Sequence, residues 1–369
     1  MENWLEQAIK RALNKISNTS NRIRDTFPHV SHEGKYDATE PSWWTSGFWS
    51  GILWLAYNET KNEKFKTFAI SCEEKLDEPL NNYFTLHHDV GFMWLPSAVA
   101  HYKYDGNVKS LRRGLIAASH LAGRFNLNGN FIRAWNNNVQ EDCTGWAIID
   151  CLMNLPLLYW ASEYEKDPRF KAIAIAHTDT VLKEFIREDG SVRHIVCFDP
   201  EKGNVVKVLG GQGYSPDSAW ARGAAWCIYG MALAYKYVGD KKYLDAAKKV
   251  SNFFINNLRE DYMAVWDFRA SKETSYAMDS SAVACAASGI LEIARFCEED
   301  RGYYIEIASK MLKSLGDNYG LWEDAQEGLI TLGTVHLPAN KNINVPIIYG
   351  DYYYLEGLLK LEGKYDLIW

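Results

Sequence analysis

Apolar positions along this chain recur at helical spacing, and they do so in two alternating styles. The pattern predicts twelve helices, over residues 2–18, 45–58, 62–79, 89–104, 107–125, 144–163, 167–187, 218–237, 241–257, 279–296, 301–316 and 349–362. The odd-numbered members are amphipathic and charged, as in Asn62-Glu63-Lys64-Phe65-Lys66-Thr67-Phe68. The even-numbered members are apolar on nearly every face and rich in small residues, as from Asp279 to Gly289. A helix that is apolar all round is buried on all sides. Six such helices alternating with six half-exposed ones predict two concentric rings, an all-α (α/α)6 barrel. A spiral solenoid would alternate in the same way but with a tighter repeat. Here the inner helices start at uneven intervals, which suits a barrel with long loops. Residues 188–210 alternate and turn like a β-hairpin, and 262–276 and 317–347 read as irregular segments or short strands. No Gly/Ser-rich or low-complexity linker interrupts the chain, so residues 1–369 are expected to form one domain.

One residue breaks the apolar pattern in an informative place. From Thr144 to Trp160 the chain is nearly all apolar, and Asp150 sits in its middle. No other charge lies between Asp142 and Glu163. An unpaired carboxylate there is expensive to bury as an anion, so burial raises its pKa. A carboxyl group poised to give and take a proton is what acid–base chemistry needs. Read as a helix over 144–163, the segment places Asp150 well inside, too far along to be an N-cap. The alternative is a neutral core Asp bonded to backbone or to a Tyr.

The other polar groups of interest open the predicted inner helices. They stand in Trp43-Trp44-Thr45-Ser46, His87-His88-Asp89, Ser218-Ala-Trp220-Ala-Arg222 with Trp226 beyond, Met278-Asp279, and Tyr349-Gly350-Asp351. In a two-ring barrel the inner helices run parallel, so these N-termini meet at one end. Their free N–H groups and dipoles suit an anionic ligand. Asp89 reads equally well as an N-cap or as a functional group, whereas Asp279 and Asp351 read better as caps. Arg222 lies one turn before Trp226 in an apolar helix. It either pairs with a buried Asp or clamps a ligand carboxylate. His194 and His336 fall in loops, where a lone His is usually structural, and Gln212 lies in a flexible Gly-Gly-Gln-Gly loop.

Composition narrows the function further. The net charge is −7 and no basic run occurs, which argues against nucleic acid. Seven Cys without CxxC spacing read as free buried thiols of a reducing compartment, not as a disulfide frame or a zinc site. With no signal-peptide pattern and no apolar span, the expectation is a cytoplasmic protein away from membranes. A monomer or weak homo-oligomer is expected. The 14 Trp and 22 Tyr are a heavy aromatic load. Some fill the core, and others suit stacking on sugar rings. No nucleotide-binding glycine loop, His/Glu metal spacing or nucleophile elbow is present.

Several segments together resemble the unsaturated glucuronyl hydrolases of glycoside hydrolase family 88, nearly end to end. They are Phe27-Pro28-His29-Val30, Gly47 to Leu55, His87 to Phe92, Ile148 to Leu158, Phe198-Asp199-Pro200 and Gly350 to Glu356. The resemblance implies an (α/α)6 barrel acting on small lyase-generated oligosaccharides with a 4,5-unsaturated uronic acid at the non-reducing end. It carries the general acid/base onto Asp150 and a partner carboxylate onto Asp89. Trp44, His88, Trp135, His194, Gln212, Arg222 and Trp226 match sugar-binding positions, and no metal or organic cofactor is implied. One departure is Gly211, where some members have His. The nearest alternatives are the unsaturated rhamnogalacturonyl hydrolases, a sugar epimerase on the same barrel, and a non-catalytic sugar-binding barrel.

Overall fold

A computed structural model describes residues 2–138, 141–365 and 368–369. The chain begins with α1 (Glu2–Ile23) and a short ribbon of β1 (Ser31–His32) and β2 (Lys35–Tyr36). It continues through α2 (Ser46–Thr60), α3 (Glu63–Lys75), α4 (Asp77–Asn82) and α5 (Val90–Trp94). A π-helical turn, Leu95–Val99, leads into α6 (Ala100–Asp105), followed by α7 (Val108–Ala122). Next come β3 (Phe125–Asn126), β4 (Phe131–Ile132), β5 (Trp146–Ile148), a 3-10 turn (Ile149–Met153), α8 (Pro156–Glu165) and α9 (Pro168–Glu184). The hairpin β6 (Ile195–Phe198) and β7 (Val205–Leu209) precedes α10 (Ala221–Val238), α11 (Lys241–Asn256), α12 (Ser280–Phe296), α13 (Arg301–Asn318) and α14 (Ile348–Leu361).

The predicted alternation is the architecture. α2, the α5–α6 segment, the 3-10 turn with α8, α10, α12 and α14 pack side by side as an inner ring, and α14 closes it against α2. α1, α3, α7, α9, α11 and α13 lie outside them, giving the (α/α)6 barrel. Every residue of α10 from Ala221 to Ala234 is buried, as is every residue of α12 from Ser280 to Ala294. Small residues permit this: a Cβ on Gly289 would stand 2.8 Å from Tyr229 of the neighbouring α10.

The two rings end differently. The outer helices α3, α7, α9 and α11 are capped by the side chains of Asn62, Asn107, Asp167 and Asp240, each accepting from the first turn. On the inner ring Thr45, Asp89, Trp220 and Ile347 make no side-chain cap bond, and only Asp279 does. The inner N-termini therefore keep unspent polar groups at one end of the barrel.

Two expectations need correction. The predicted helix 144–163 is three things: Thr144 to Ile148 leads into and forms β5, the 3-10 turn follows, and only Pro156–Glu165 is α-helix. A short apolar run of Trp, Ala and Ile fits a buried strand as well as a helix. The strand wins because the β6–β7 hairpin offers it a partner, with Trp146 opposite Cys197 and Ile148 opposite Ile195. Likewise 89–104 is α-helix broken by the π turn around Pro96, whose ring leaves no N–H to donate. The hairpin in 188–210 is as predicted, and 262–276 and 317–347 contain isolated bridges such as Trp220 with Asp267 and Gly333 with Val345. The seven Cys are free and buried. No helix of the described residues is long and apolar enough to cross a membrane.

Candidate active site

Asp150 is the second residue of the 3-10 turn that follows β5 and packs on α10 of the inner ring. Strand pairing, not a helix interior, aims it: Ile149 N–H donates to His194 O, locking the turn onto the hairpin. Its side chain is 14% exposed, and Oδ1 has no hydrogen-bond partner. Burial pushes its pKa up to about 7, against the lowering influence of the Arg222 charge. Oδ1 faces His194 Nε2 at 3.9 Å.

His194 is buried beside Trp220, ring centroids 4.3 Å apart. Burial holds its pKa down to about 3, so the ring is neutral. Its Nδ1 lies 2.9 Å from both Gly210 O and Gln212 N. A protonated Nδ1 donates to Gly210 and leaves Nε2 an acceptor toward Asp150. A bare Nδ1 accepts from Gln212 N–H and turns an Nε2–H toward Asp150. At Gly211 the backbone is left-handed (φ +58°), and a Cβ would stand 2.3 Å from His194 Nδ1. Any side chain at this position would displace the His194 ring, so Gly211 and the present imidazole position go together.

Asp89 opens α5, but its carboxylate does not cap the helix. It accepts instead from Asn154 Nδ2 at 3.1 Å, and the same amide donates to Asp150 O at 3.2 Å. Asn154 Oδ1 accepts from Phe92 N at 2.8 Å. One buried amide thus ties the Asp89 carboxylate to the Asp150 backbone. The approach requires Gly91, where a Cβ would lie 2.4 Å from Asn154 Cα. Burial, then the Asp150 charge, raises the Asp89 pKa well above the usual carboxylate value, while the Asn154 bond opposes the rise. His88 is buried, with Nε2 3.4 Å from Asp89 Oδ1.

Arg222 takes the first of its two alternatives. Nη1 donates to Asp279 at 2.5 Å and to Thr334 O, and Nη2 donates to Gln212 Oε1 and Val335 O. The guanidinium lies over Trp220 and Tyr349 at 4.7 and 5.3 Å. It holds the Gln212 loop and projects charge toward Asp150, and the expected clamp on a ligand is not free to form from these four donors. Trp226 is likewise corrected. It has no exposed surface and packs on Phe92, Tyr349 and Tyr353, so it is core beneath the site. Asp279 both caps α12 and pairs with Arg222. Asp351 is not a cap: it lies inside α14 and accepts from Leu329 N, Ile330 N and the Tyr36 hydroxyl.

Trp44 is half-buried against Tyr349 (5.1 Å) and Phe92 (5.4 Å), and Trp135 is half-buried against Trp146 (6.0 Å). His88 N donates to Ala134 O, which brings Trp135 beside the acids. The sequence-predicted residues therefore form one connected cluster. Missed at the sequence level were Asn154, Trp220 and Tyr349. Each stood inside a motif already singled out, but nothing local marked its partner.

The description Glycosyl Hydrolase Family 88 matches residues 12–356, and the chain belongs to that family. It is 38% identical to the unsaturated glucuronyl hydrolase of Bacillus sp. strain GL1, over 99% of this chain and 98% of that protein. It is 34% identical to the unsaturated chondroitin disaccharide hydrolase of Streptococcus agalactiae, over 99% and 93%. The Bacillus crystal structure superposes with a TM-score of 0.93, covering 97% of each chain. A Streptococcus agalactiae structure complexed with dGlcA-GalNAc6S superposes at 0.88 with 32% identity, covering 100% of this chain and 94% of that one.

Proposed function

We propose that this chain releases a 4,5-unsaturated uronic acid from the non-reducing end of lyase-generated oligosaccharides, glycosaminoglycan-type disaccharides first among them. The observation that carries the reading is Asp150: a carboxyl on the inner ring, poised near neutral pH by burial, with one oxygen unbonded. The names of the relatives agree with it.

The unsaturated sugar is an enol ether. Protonated Asp150 gives its proton to C4, and positive charge develops on C5 and the ring oxygen. Water adds at C5 and returns a proton to the Asp150 anion. The C5 hemiketal then opens, and the C1 hemiacetal left behind releases the second sugar. One water is consumed and Asp150 ends as it began. C1 is never attacked, so the carboxylate separations that distinguish inverting from retaining enzymes do not apply. Asp89, Trp44, His88, Trp135, His194 and Gln212 are assigned to holding the substrate. Arg222 and Trp226 support the pocket from behind.

Loss of the ultraviolet absorbance of the C4=C5 uronate tests the reaction, because an epimerase or a binding protein leaves that chromophore intact. A panel of unsaturated disaccharides, glycosaminoglycan-derived and pectin-derived, separates this reading from a rhamnogalacturonyl hydrolase. No loss on any member of the panel would refute it.

A further inference from the structure

His87, His88 and Asp89 bring three metal-ligating groups together, and the reaction above uses no metal. Their ligand atoms all lie within 4.8 Å of one another. His87 Nδ1 is 3.3 Å from Asp89 Oδ2, and His88 Nε2 is 3.4 Å from Asp89 Oδ1. Those separations exceed normal hydrogen bonds of about 2.7–3.2 Å. The two imidazoles face different oxygens of one carboxylate. The separations are close to the spacing of about 3.3–3.4 Å that bonds of about 2.0–2.2 Å at tetrahedral angles put between neighbouring ligand atoms. A small rotation of the carboxylate therefore brings one oxygen to both. Asp89 N–H also reaches His87 Nδ1, at a long 3.4 Å. An entry path exists, because the His87 side chain is 25% exposed while His88 is buried.

We propose that His87 Nδ1, His88 Nε2 and the Asp89 carboxylate form a three-ligand site for a borderline divalent cation of the Zn2+ class, with the fourth position open. Two imidazoles and one carboxylate suit zinc, and they disfavour Mg2+ and Ca2+, which take oxygen ligands. The site is a regulatory one and not a permanent structural centre. His88 Nδ1 has no hydrogen-bond partner, so the supporting bond that usually orients a ligating His is missing. The Arg124 guanidinium, held by Arg133 O, Ala134 O and Asn136, also sets its charge against the cation. Occupancy takes Asp89 away from the substrate, so Zn2+ inhibits competitively. That consequence rests on the assignment of Asp89 under the proposed function, whereas the site does not.

The test uses the purified full chain. Titration calorimetry with Zn2+ should show one site, and Co2+ should give visible tetrahedral bands without thiolate charge transfer. His87→Gln should weaken Zn2+ binding by at least about tenfold and leave turnover without metal within about twofold, with far-UV circular dichroism checking the fold. Zn2+ should raise KM in the wild type, and EDTA should restore it. Absence of stoichiometric binding, binding undiminished in a folded His87→Gln, or Co2+ bands of thiolate type would each overturn the site. Binding that requires His87 but leaves turnover unchanged would uphold the site and count against Asp89 as a substrate-binding group.

Discussion

Two polar clusters are buried in the same inner ring, at opposite ends, and they are built on opposite rules. At the C-terminal halves of α12 and α14, Lys360 Nζ lies 3.2 Å from Glu292 and 3.8 Å from Glu356, and donates to the Tyr229 hydroxyl at 2.5 Å. Ser288 and Tyr352 complete the shell around Glu356. Burial pushes the Glu292 pKa up, but Lys360, Lys236 and Arg295 outweigh it and hold the group below the usual carboxylate value. At the N-terminal end Asp150 has no cationic partner, and Asp150 Oδ1, His88 Nδ1 and His194 Nε2 have no hydrogen-bond partner. The first cluster spends its charges on one another and serves the fold. The second leaves them unspent, which costs stability and leaves a proton available for chemistry.

The largest expected effect tests the unspent end. Asp150→Asn keeps shape and hydrogen-bonding capacity but cannot cycle a proton. Turnover should fall by about a hundred- to ten-thousand-fold, while the melting temperature holds or rises slightly. A folded mutant keeping more than about a tenth of wild-type kcat would make Asp150 a core residue. The next effect tests the spent end. Lys360→Met removes the cation that Glu292 and Glu356 share, leaving Glu292 with Arg295 and Glu356 with hydroxyl partners, and losing one partner of a buried pair costs about 3–5 kcal/mol. Denaturant unfolding should show that loss, while activity per folded molecule stays near wild type. A large fall in kcat with unchanged stability would reverse the assignment of the two clusters.

The comparison also explains which parts could be read from sequence. The inner helices were legible because burial on every face erases their polar stripe, as in α10 and α12. Asp150 was legible because it is the one charge in its run. Its setting was not: Trp146 to Ile149 fits strand and helix equally, and only the distant β6–β7 hairpin decides. The Arg222–Asp279 pair joins residues 57 apart, and the Asn154–Asp89 bond joins residues 65 apart. Neither separation leaves a local signal. Trp226 misled for a related reason, since a Trp beside an Arg reads the same whether it faces a ligand or the core.

Asn154 lies between the two rules, a satisfied amide that serves an unsatisfied pair. Asn154→Ala strands Phe92 N–H and removes the donor to Asp89. Leaving buried partners unmade costs about 1–3 kcal/mol, readable as a lowered melting temperature. A merely structural loss would leave the pH profile of turnover alone. If Asn154 positions the acids, removing its bond raises the Asp89 pKa further, and the profile shifts. An unchanged profile would reduce Asn154 to packing.

The smallest effect sharpens the comparison by pH alone. Asp150 has a folded pKa of about 7, above its ordinary 3.8. Its favourable contribution is therefore fully present below about pH 4 and is lost as pH rises through 7. Glu292 is shifted the other way: its contribution is present above its ordinary 4.5 and is lost as pH falls through its lowered value. The reaction needs the protonated form of Asp150, so kcat/KM should be flat below about pH 6. Above about 7 it should fall, approaching tenfold for each further pH unit. In Lys360→Met the acid side of the stability curve should change, because Glu292 loses the cation with the largest lowering influence on it, while the alkaline fall in kcat/KM keeps its midpoint. In Asp150→Asn the residual rate should lose that midpoint. A wild-type profile that rises from pH 6 to 8 would mean the working form of Asp150 is the anion, and proton delivery to C4 would have to come from another group.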